Sequence, residues 1–303
     1  MNTPLSFGDQ LSLAARQKQS AVCVGLDPRW DSLPKILRSG IDAADLASVT
    51  RAMRDYCRSV IDAVARIAPV LKPQAAFFEQ LGPLGMTLLS EIILYARQAG
   101  MIVLLDGKRG DIGSTAQGYA EGYLGRSSAW GCDALTINPY LGEDTLEPFF
   151  QVASSRAAGV FVLVKTSNPG SRFIQDLSVD HQTVYQRVAA VVQRQAADTA
   201  GSSGYGCAGA VVGATYPQQL AEMRQAMPNA WLLIPGFGAQ GGTAQDVQPG
   251  FDAQGLGAIV NSSRGIIFAY EQPEYQGMDW QEAVARAAKQ MSQELPKPSM
   301  PST

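Results

Sequence analysis

The sequence is poor in the residues on which several classes of enzyme depend. Its 303 residues include one histidine, and the four cysteines are scattered without metal-type spacing. A histidine-dependent mechanism, or a metal site rich in histidine or cysteine, is therefore not expected. The histidine, His181, lies in the polar stretch SVDHQT, which predicts a solvated loop or the start of a helix.

A block of basic residues and a long apolar segment are also lacking. The 24 Lys and Arg residues nearly balance 27 Asp and Glu, for a net charge of -3, so no nucleic-acid surface is predicted. No apolar run approaches the roughly 18 residues that span a bilayer. Residues 1–20 lack the basic and apolar segments of a signal peptide. With cysteines that are expected to be buried and reduced, these features predict a cytoplasmic protein.

The sequence does contain a regular alternation of strand-length apolar runs and helix-like stretches. Most runs are continuously apolar, as in parallel strands that are covered on both faces. The runs are Ala21–Leu26, Pro69–Leu71, Met101–Leu105, Ala134–Ile137, Val160–Val164, Ala210–Val212, Trp231–Ile234 and Ala258–Val260. Helical spacing occurs in Asp42–Ile67, Pro83–Gln98, Val184–Thr199 and Pro217–Met227. Eight such alternations predict an α/β protein, a closed (β/α)8 TIM barrel, with an open doubly wound sheet as the alternative.

The barrel is predicted to form a single catalytic domain over residues 1–293. The Pro- and Ser-rich stretch 294–303 predicts a disordered C-terminal tail. The segment Gly204–Gly209 matches the GxGxxG pattern of dinucleotide sites. That pattern must follow a strand and open a helix, whereas here it precedes an apolar run, so we reject it.

Polar residues follow most of the apolar runs. Because the carboxyl ends of parallel strands meet at one mouth of a barrel, these side chains are expected to converge where barrel enzymes carry out their chemistry. They are Asp27, Lys72, Asp106, Lys108, Asn138, Lys165, Ser167 and Arg264.

The third run leads into the charged motif Asp106-Gly-Lys108, with Asp111 three positions later. Alternate residues of a strand point the same way, so Asp106 and Lys108 should share one side. We expect Asp111 to lie within a few ångströms of them, because Gly110 lets the chain turn. The alternative is a solvated turn with ordinary ion pairs, but a buried strand end is a costly place for charges without a function.

The last two runs lead into a predicted phosphate site. The glycine-rich loop Pro235–Gly242 follows the seventh run, and its glycines let backbone N–H groups approach an anion. Arg264 follows the eighth run and can form a forked pair with phosphate oxygens. The alternative is two flexible turns and a surface arginine, although loops seven and eight often bind phosphate in such barrels.

The motif Asp106-x-Lys108-x-x-Asp111, followed by Ile112, resembles the signature of orotidine 5′-phosphate decarboxylases. The stretch from Phe77–Gln80 to Thr115 is similar to the longer bacterial branch of that family, as are the motifs Asn138-Pro-Tyr140 and Val164–Pro169. The resemblance runs from about Ala21 to Ile267. It implies a decarboxylase that makes UMP from orotidine 5′-monophosphate for pyrimidine synthesis, without metal or cofactor.

The resemblance also implies roles for individual residues. The implied catalytic residues are Lys72, Asp106, Lys108 and Asp111, with Lys108 as the proton donor. The implied substrate-binding residues are Asp27, Ile112, Thr115, Ser167, Pro235, Gly236, Gln240 and Arg264. Asp27 and Lys72 would hold ribose hydroxyls, Ser167 the pyrimidine amide edge, and Gln240 and Arg264 the phosphate. Members of the family are homodimers, so Asp111 and Thr115 would reach into the partner's site.

The reaction explains why such an array is needed. Loss of carbon dioxide leaves an electron pair in the plane of the pyrimidine ring, where the ring π system cannot absorb it. A fixed ammonium group beside carbon 6 can stabilise that pair and then protonate it. Three alternatives stay open: a metal-dependent phosphosugar decarboxylase or synthase of the same barrel suprafamily, a Schiff-base aldolase, and a non-catalytic nucleotide-binding barrel.

Overall fold

The computed structural model describes residues 5–215, 217–238 and 242–299. Within these residues, eight parallel strands close into a barrel in the order β1-β10-β9-β8-β5-β4-β3-β2. A separate antiparallel hairpin consists of β6 and β7. The strands are β1 (Val22–Leu26), β2 (Val70–Pro73), β3 (Ile102–Arg109), β4 (Ala134–Ile137), β5 (Gly159–Lys165), β6 (Ser178–Val179), β7 (Gln182–Thr183), β8 (Ala208–Val212), β9 (Trp231–Pro235) and β10 (Ala258–Ser262).

The prediction of a closed (β/α)8 barrel is confirmed, and each of the eight predicted runs overlaps a barrel strand. The strands are almost wholly buried, as near-continuous apolar runs require. The segment Gly204–Gly209 runs into β8 and does not open a helix, so it lacks the strand–turn–helix context that a dinucleotide motif requires.

Helices lie between most of the barrel strands and flank the barrel. They are α1 (Phe7–Lys18), α2 (Lys35–Arg38), α3 (Leu46–Val64), α4 (Ala75–Glu79), α5 (Gly82–Gln98), α6 (Gly113–Tyr123), α7 (Glu147–Ser155), α8 (Val184–Asp198), α9 (Pro217–Ala226), α10 (Ala244–Val247), α11 (Arg264–Ile267) and α12 (Trp280–Glu294). The helix predicted from Asp42 begins only at Leu46, because the Asp45 side chain caps it by accepting from the N–H groups of Ala47 and Ser48.

The four cysteines are buried and unpaired, as predicted. Each fully buried apolar side chain contributes roughly 1.5–3 kcal/mol relative to an exposed one, so the barrel interior and the layer beneath the helices hold the fold together. None of the helices described in the chain is long and apolar enough to cross a membrane.

The first part of the predicted tail packs against the barrel. Glu294 is the last residue of α12, and Leu295 is buried. Lys297 donates to the carbonyl of Gln19 at 3.1 Å, and the N–H of Ser299 donates to the carbonyl of Gln254 at 2.8 Å. These contacts correct the expectation of disorder for residues 294–299, because an apolar anchor and backbone hydrogen bonds hold them. Residues 300–303 lie outside the described residues.

The segment between β5 and α8 extends from the barrel mouth and includes the β6–β7 hairpin. Lys165, buried at the end of β5, forms an ion pair with Asp176 in this segment. The side chain of Gln175 accepts from the N–H of Thr166 at 3.0 Å. His181 is exposed in the hairpin turn with a φ of 62°, which agrees with the predicted solvated loop.

Candidate active site

A cavity of about 910 Å³ opens at the carboxyl ends of the barrel strands. Its volume lies in the range of about 300–1,000 Å³ that is typical of small-molecule sites. Nine of the strand-end and candidate substrate-binding residues named from the sequence line it, because the carboxyl ends of parallel strands converge at this mouth. They are Asp27, Lys72, Asp106, Lys108, Asn138, Ser167, Pro235, Gly236 and Arg264.

The centre of the site is the buried carboxylate of Asp106. Its Oδ1 accepts from Lys108 Nζ at 2.6 Å and from Thr136 Oγ1 at 2.9 Å. Its Oδ2 accepts from Lys72 Nζ at 2.8 Å and from Gln74 Nε2 at 3.1 Å. A carboxylate has about four lone-pair sites, so these four donors fix its position. The donors come from β2, β3, β4 and the residue after β2, which are neighbours in the barrel.

Burial and charge have opposite effects on the pKa values of Asp106 and Lys72, two buried ionisable groups of the site. Burial alone would raise the pKa of Asp106, but the ammonium groups of Lys72 and Lys108 outweigh it and hold that pKa well below its usual range. Burial alone would lower the pKa of Lys72, but the charges of Asp106 and Asp27 raise it to about 12. Asp106 and Lys72 are therefore both charged near neutral pH.

Lys108 occupies an irregular part of β3. The pairing of β3 with β4 changes register between Leu105 and Arg109, and Lys108 has a φ of 46°. Residues other than glycine rarely adopt this left-handed backbone conformation, and such backbone strain often occurs at functional positions. The Lys108 side chain is 45% exposed and lines the cavity, so its ammonium group is held by Asp106 and accessible to a ligand.

The structure corrects one expectation about the charged motif. Among the described residues Asp111 makes no ion pair, and its carboxylate accepts from the N–H of Ile112 at 2.8 Å. Asp111, Ile112 and Thr115 do not line the cavity, and Ile112 is 63% exposed. Strand β3 ends at Arg109, so Asp111 and the residues after it lie beyond the strand that carries Asp106 and Lys108.

The carboxylate of Asp27, at the end of β1, is not fully hydrogen-bonded by the described residues. Its Oδ1 is buried and has no hydrogen-bond partner among the described residues, although a buried polar atom usually has one. Asp27 lines the cavity beside Lys72, so a ligand hydroxyl could supply that partner. The nearby thiol of Cys23 is not a candidate nucleophile, because burial raises its pKa to about 12.

The loops after β9 and β10 form another end of the cavity. Pro235, Gly236 and Arg264 line it, and Gly236 has a φ of 103°, which favours glycine. An adjoining cavity of about 450 Å³ is lined by both Arg264 and Arg29. This end therefore offers positive charge to an anionic ligand. Gln240, the other predicted phosphate ligand, lies outside the described residues.

Ser167 lies on the rim, where the chain leaves β5. A side chain at Gly213 would place its Cβ 2.8 Å from Cβ of Ser167, so glycine is needed for the close approach of these two loops. The apolar side chains of Phe173 and Ile174 also line this part of the cavity. A planar apolar group with polar edges could bind between them and Ser167.

Sequence reasoning did not identify several residues that line the cavity, among them Gln74, Thr136, Asn261 and Arg29. Gln74 could have been identified, because it comes two residues after Lys72 and so points to the same side. Thr136 lies within an apolar run, where a threonine is unremarkable. Within the described part of the chain, no three His, Cys, Asp or Glu side chains are grouped so as to hold a metal ion.

Comparisons with known proteins identify the family of the chain. The model of the orotidine 5′-phosphate decarboxylase / HUMPS family matches residues 20–277. A Rhodopirellula baltica protein named orotidine 5′-phosphate decarboxylase is 54% identical over 299 residues, which cover 96% of this chain and 99% of the relative. A Deinococcus radiodurans protein of the same name is 44% identical, over 87% of this chain and 90% of the relative.

A solved structure of Leishmania donovani OMP decarboxylase superposes with a TM-score of 0.74 at 34% identity, over 96% of this chain and 97% of that one. The family match includes all eight barrel strands and the charged cluster at their carboxyl ends. The chain therefore belongs to the orotidine 5′-phosphate decarboxylase / HUMPS family.

Proposed function

We propose that this chain decarboxylates orotidine 5′-monophosphate with the ammonium group of Lys108 as the catalytic proton donor. The reaction, which gives UMP in pyrimidine biosynthesis, follows from the family and from a relative that is 54% identical over nearly the full chain. The observation that supports the role of Lys108 is the Lys72–Asp106–Lys108 cluster, in which two ammonium groups share one buried carboxylate at the cavity.

The proposed chemistry needs only this cluster and the substrate. The bond between carbon 6 and the carboxylate breaks, carbon dioxide leaves, and the electron pair stays on carbon 6. Lys108 Nζ donates a proton to that carbon, forming the C–H bond of UMP, and the resulting amine takes a proton from water. A preorganised ammonium group is an effective stabiliser of developing negative charge, because it needs no reorientation during the reaction.

Asp106 and Lys72 are proposed to support Lys108. Asp106 orients the Lys108 ammonium through the 2.6 Å contact, and Lys72 compensates part of the Asp106 charge. Lys72 and Asp27 are also proposed to bind the ribose hydroxyls. The unpartnered Oδ1 of Asp27 supports this assignment, since a hydroxyl donor would satisfy it.

The remaining cavity residues are proposed to bind the two ends of the nucleotide. Ser167 would contact the amide edge of the pyrimidine, and Arg264 would bind the phosphate together with backbone groups at Pro235 and Gly236. Gln240 is proposed as a further phosphate ligand from the sequence alone. Binding energy at the phosphate would contribute to closing the site, excluding water and strengthening the field of Lys108.

A homodimer is proposed as the functional unit, with Asp111 and Thr115 contributing to the partner's site, and Ile112 between them as a substrate-binding residue. These residues do not line the cavity of their own chain. Ile112 and Leu141 are exposed apolar side chains that follow the neighbouring strands β3 and β4 and do not line the cavity. Exposed apolar side chains that cluster are typical of subunit contacts. A cytoplasmic location and independence of metal ions and cofactors remain predictions from the sequence.

The decisive experiment adds chelator-treated protein to orotidine 5′-monophosphate and follows its loss of absorbance, with UMP identified as the product. Conversion without added metal supports the proposal. Failure to convert, with activity on another phosphosugar restored by magnesium, would instead indicate a metal-dependent relative. Tight UMP binding without any turnover would indicate a nucleotide-binding barrel.

A further inference from the structure

Thr136, in the middle of β4, has a buried hydroxyl between two parts of the charged cluster. Thr136 is 1% exposed. Its Oγ1 accepts from the backbone N–H of Lys108 at 2.9 Å and donates to Asp106 Oδ1 at 2.9 Å. We propose that Thr136 is a positioning residue that sets the place of the Lys108 ammonium. The inference rests on the proposed function, since it concerns the proton donor of that reaction.

The strand pairing explains why a side chain is needed at this point. Leu105 pairs with Leu135, and the next pair is Arg109 with Ile137, so three residues of β3 lie opposite the single residue Thr136. The regular ladder between β3 and β4 is interrupted over that interval. The Thr136 hydroxyl supplies an acceptor for the Lys108 N–H there, and a buried N–H without an acceptor is destabilising.

The same hydrogen bond holds an unfavourable backbone conformation. The positive φ of Lys108 persists only if the surroundings determine it, because an L side chain is crowded against the backbone there. Among the described residues, Thr136 accepts from the backbone N–H of Lys108, and Asp106 accepts from its ammonium group. Lys108 is therefore held at both its backbone and the end of its side chain.

The direction of each hydrogen bond is fixed by the chemistry of the partners. The backbone N–H of Lys108 can only donate a hydrogen bond, and the ionised Asp106 carboxylate can only accept one. The hydroxyl proton of Thr136 must therefore point to Asp106, while an oxygen lone pair receives the Lys108 N–H. The hydroxyl thus links the Lys108 backbone to the carboxylate that holds the Lys108 ammonium. The three hydrogen bonds, from Lys108 N–H to Thr136, from Thr136 to Asp106 and from Lys108 Nζ to Asp106, form a closed ring.

Valine at position 136 removes the hydroxyl and keeps the shape, whereas serine keeps the hydroxyl. For Thr136→Val we expect kcat to fall by about 100-fold, since a displacement of a catalytic group by about 1 Å costs that much. The KM for orotidine 5′-monophosphate and the Kd for UMP should change little, because neither depends mainly on where Lys108 Nζ lies. Thr136→Ser should restore kcat to near the wild-type value.

A matched control is Thr50→Val on α3. Thr50 is also buried, and its hydroxyl donates to the carbonyl of Leu46 at 2.6 Å, away from the cavity. This variant should keep the wild-type kcat. It measures what the loss of a buried threonine hydroxyl does when only the fold is affected.

Three outcomes would overturn the inference: a wild-type kcat in Thr136→Val, an equal loss in Thr136→Ser, or a loss of kcat matched by loss of UMP affinity. The variant Lys108→Ala, assayed in parallel, separates this inference from the proposed function. Turnover by Lys108→Ala would refute the proposed proton donor itself. An inactive Lys108→Ala beside a fully active Thr136→Val would refute the role of Thr136 alone.

Discussion

The ammonium of Lys108 lies 2.6 Å from Oδ1 of Asp106, and both residues belong to β3. The same carboxylate accepts from Lys72 on the neighbouring strand β2 at 2.8 Å. One buried anion therefore fixes two cations from different strands before any ligand arrives. Because the Lys108 side chain stays 45% exposed to the cavity, its charge is available to a bound nucleotide without rearrangement.

Replacing Lys108 with alanine should remove both the stabilising charge and the proton donor. We expect kcat to fall by about 10⁴-fold or more, since general acid catalysis and electrostatic stabilisation are lost together. UMP binding should persist, because the phosphate and ribose ligands are unchanged. Steady-state assays and calorimetric titration with UMP would measure the two effects. The exposed lysine Lys289 on α12 offers the control Lys289→Ala, and near-normal turnover in Lys108→Ala would refute the assignment.

Much of this site could be predicted from the sequence, because two periodic rules apply. Parallel strands bring their carboxyl ends to one mouth, so Asp27, Lys72 and Arg264 could be grouped although they are far apart in the chain. Alternation along a strand predicted that Asp106 and Lys108 lie on the same side, and both line the cavity. The barrel followed from eight apolar runs separated by helical stretches.

The parts that were not predicted depend on contacts between distant segments. The bulge at Lys108 and the acceptor role of Thr136 arise from the register of β3 against β4, which no local pattern encodes. The separation of Asp111 from the cavity depends on the path of the chain after β3 ends at Arg109. The packing of Leu295 depends on a surface formed by other parts of the barrel, and composition does not reveal it.

The elevated pKa of Lys72 predicts a loss of stability at alkaline pH. Lys72 holds its proton more tightly in the folded chain, where its pKa is about 12, than in the unfolded chain, where it is 10.5. Its contribution to stability is therefore fully present below pH 10.5 and is lost as pH rises through about 12. The difference between the two values corresponds to about 2 kcal/mol.

This contribution can be isolated by comparing the wild type with Lys72→Met. Urea unfolding should show a wild-type advantage that is constant at neutral pH, shrinks by about 1 kcal/mol between pH 10.5 and 12, and continues to shrink above pH 12. The variant Lys289→Met controls for the general loss of a lysine. An advantage of Lys72 that stays constant or grows over this interval would contradict the predicted coupling to Asp106.

Replacing Arg264 with alanine should affect substrates with and without a phosphate differently. Turnover of orotidine 5′-monophosphate is expected to fall by about 10–100-fold, because one or two hydrogen bonds between charged groups contribute a free energy of that size. Residual activity on the phosphate-free nucleoside orotidine should barely change, because Arg264 would have no partner there. Arg66→Ala, at an exposed position on the surface, is the control. Equal losses on both substrates would argue against a phosphate ligand.

The proposed sharing of Asp111 across a dimer can be tested by mixing two inactive variants. Lys108→Ala and Asp111→Ala should each be inactive alone. In a heterodimer of the two, one site lacks both groups, while the other combines an intact Lys108 with an intact Asp111. Random exchange of subunits makes half the dimers mixed, so about a quarter of the wild-type activity should return.

The control mixture combines Lys108→Ala with Asp106→Asn. Lys108 and Asp106 belong to the same chain's cluster, where they are 2.6 Å apart, so no heterodimer of these two variants contains a complete site. Recovery in the first mixture and none in the second would locate Asp111 in the partner's site. If Asp111 acted within its own chain, neither mixture would recover, even with exchange of subunits verified by native mass spectrometry. The pattern of recovery thus reports which groups of the charged motif act together in one chain and which act across the interface.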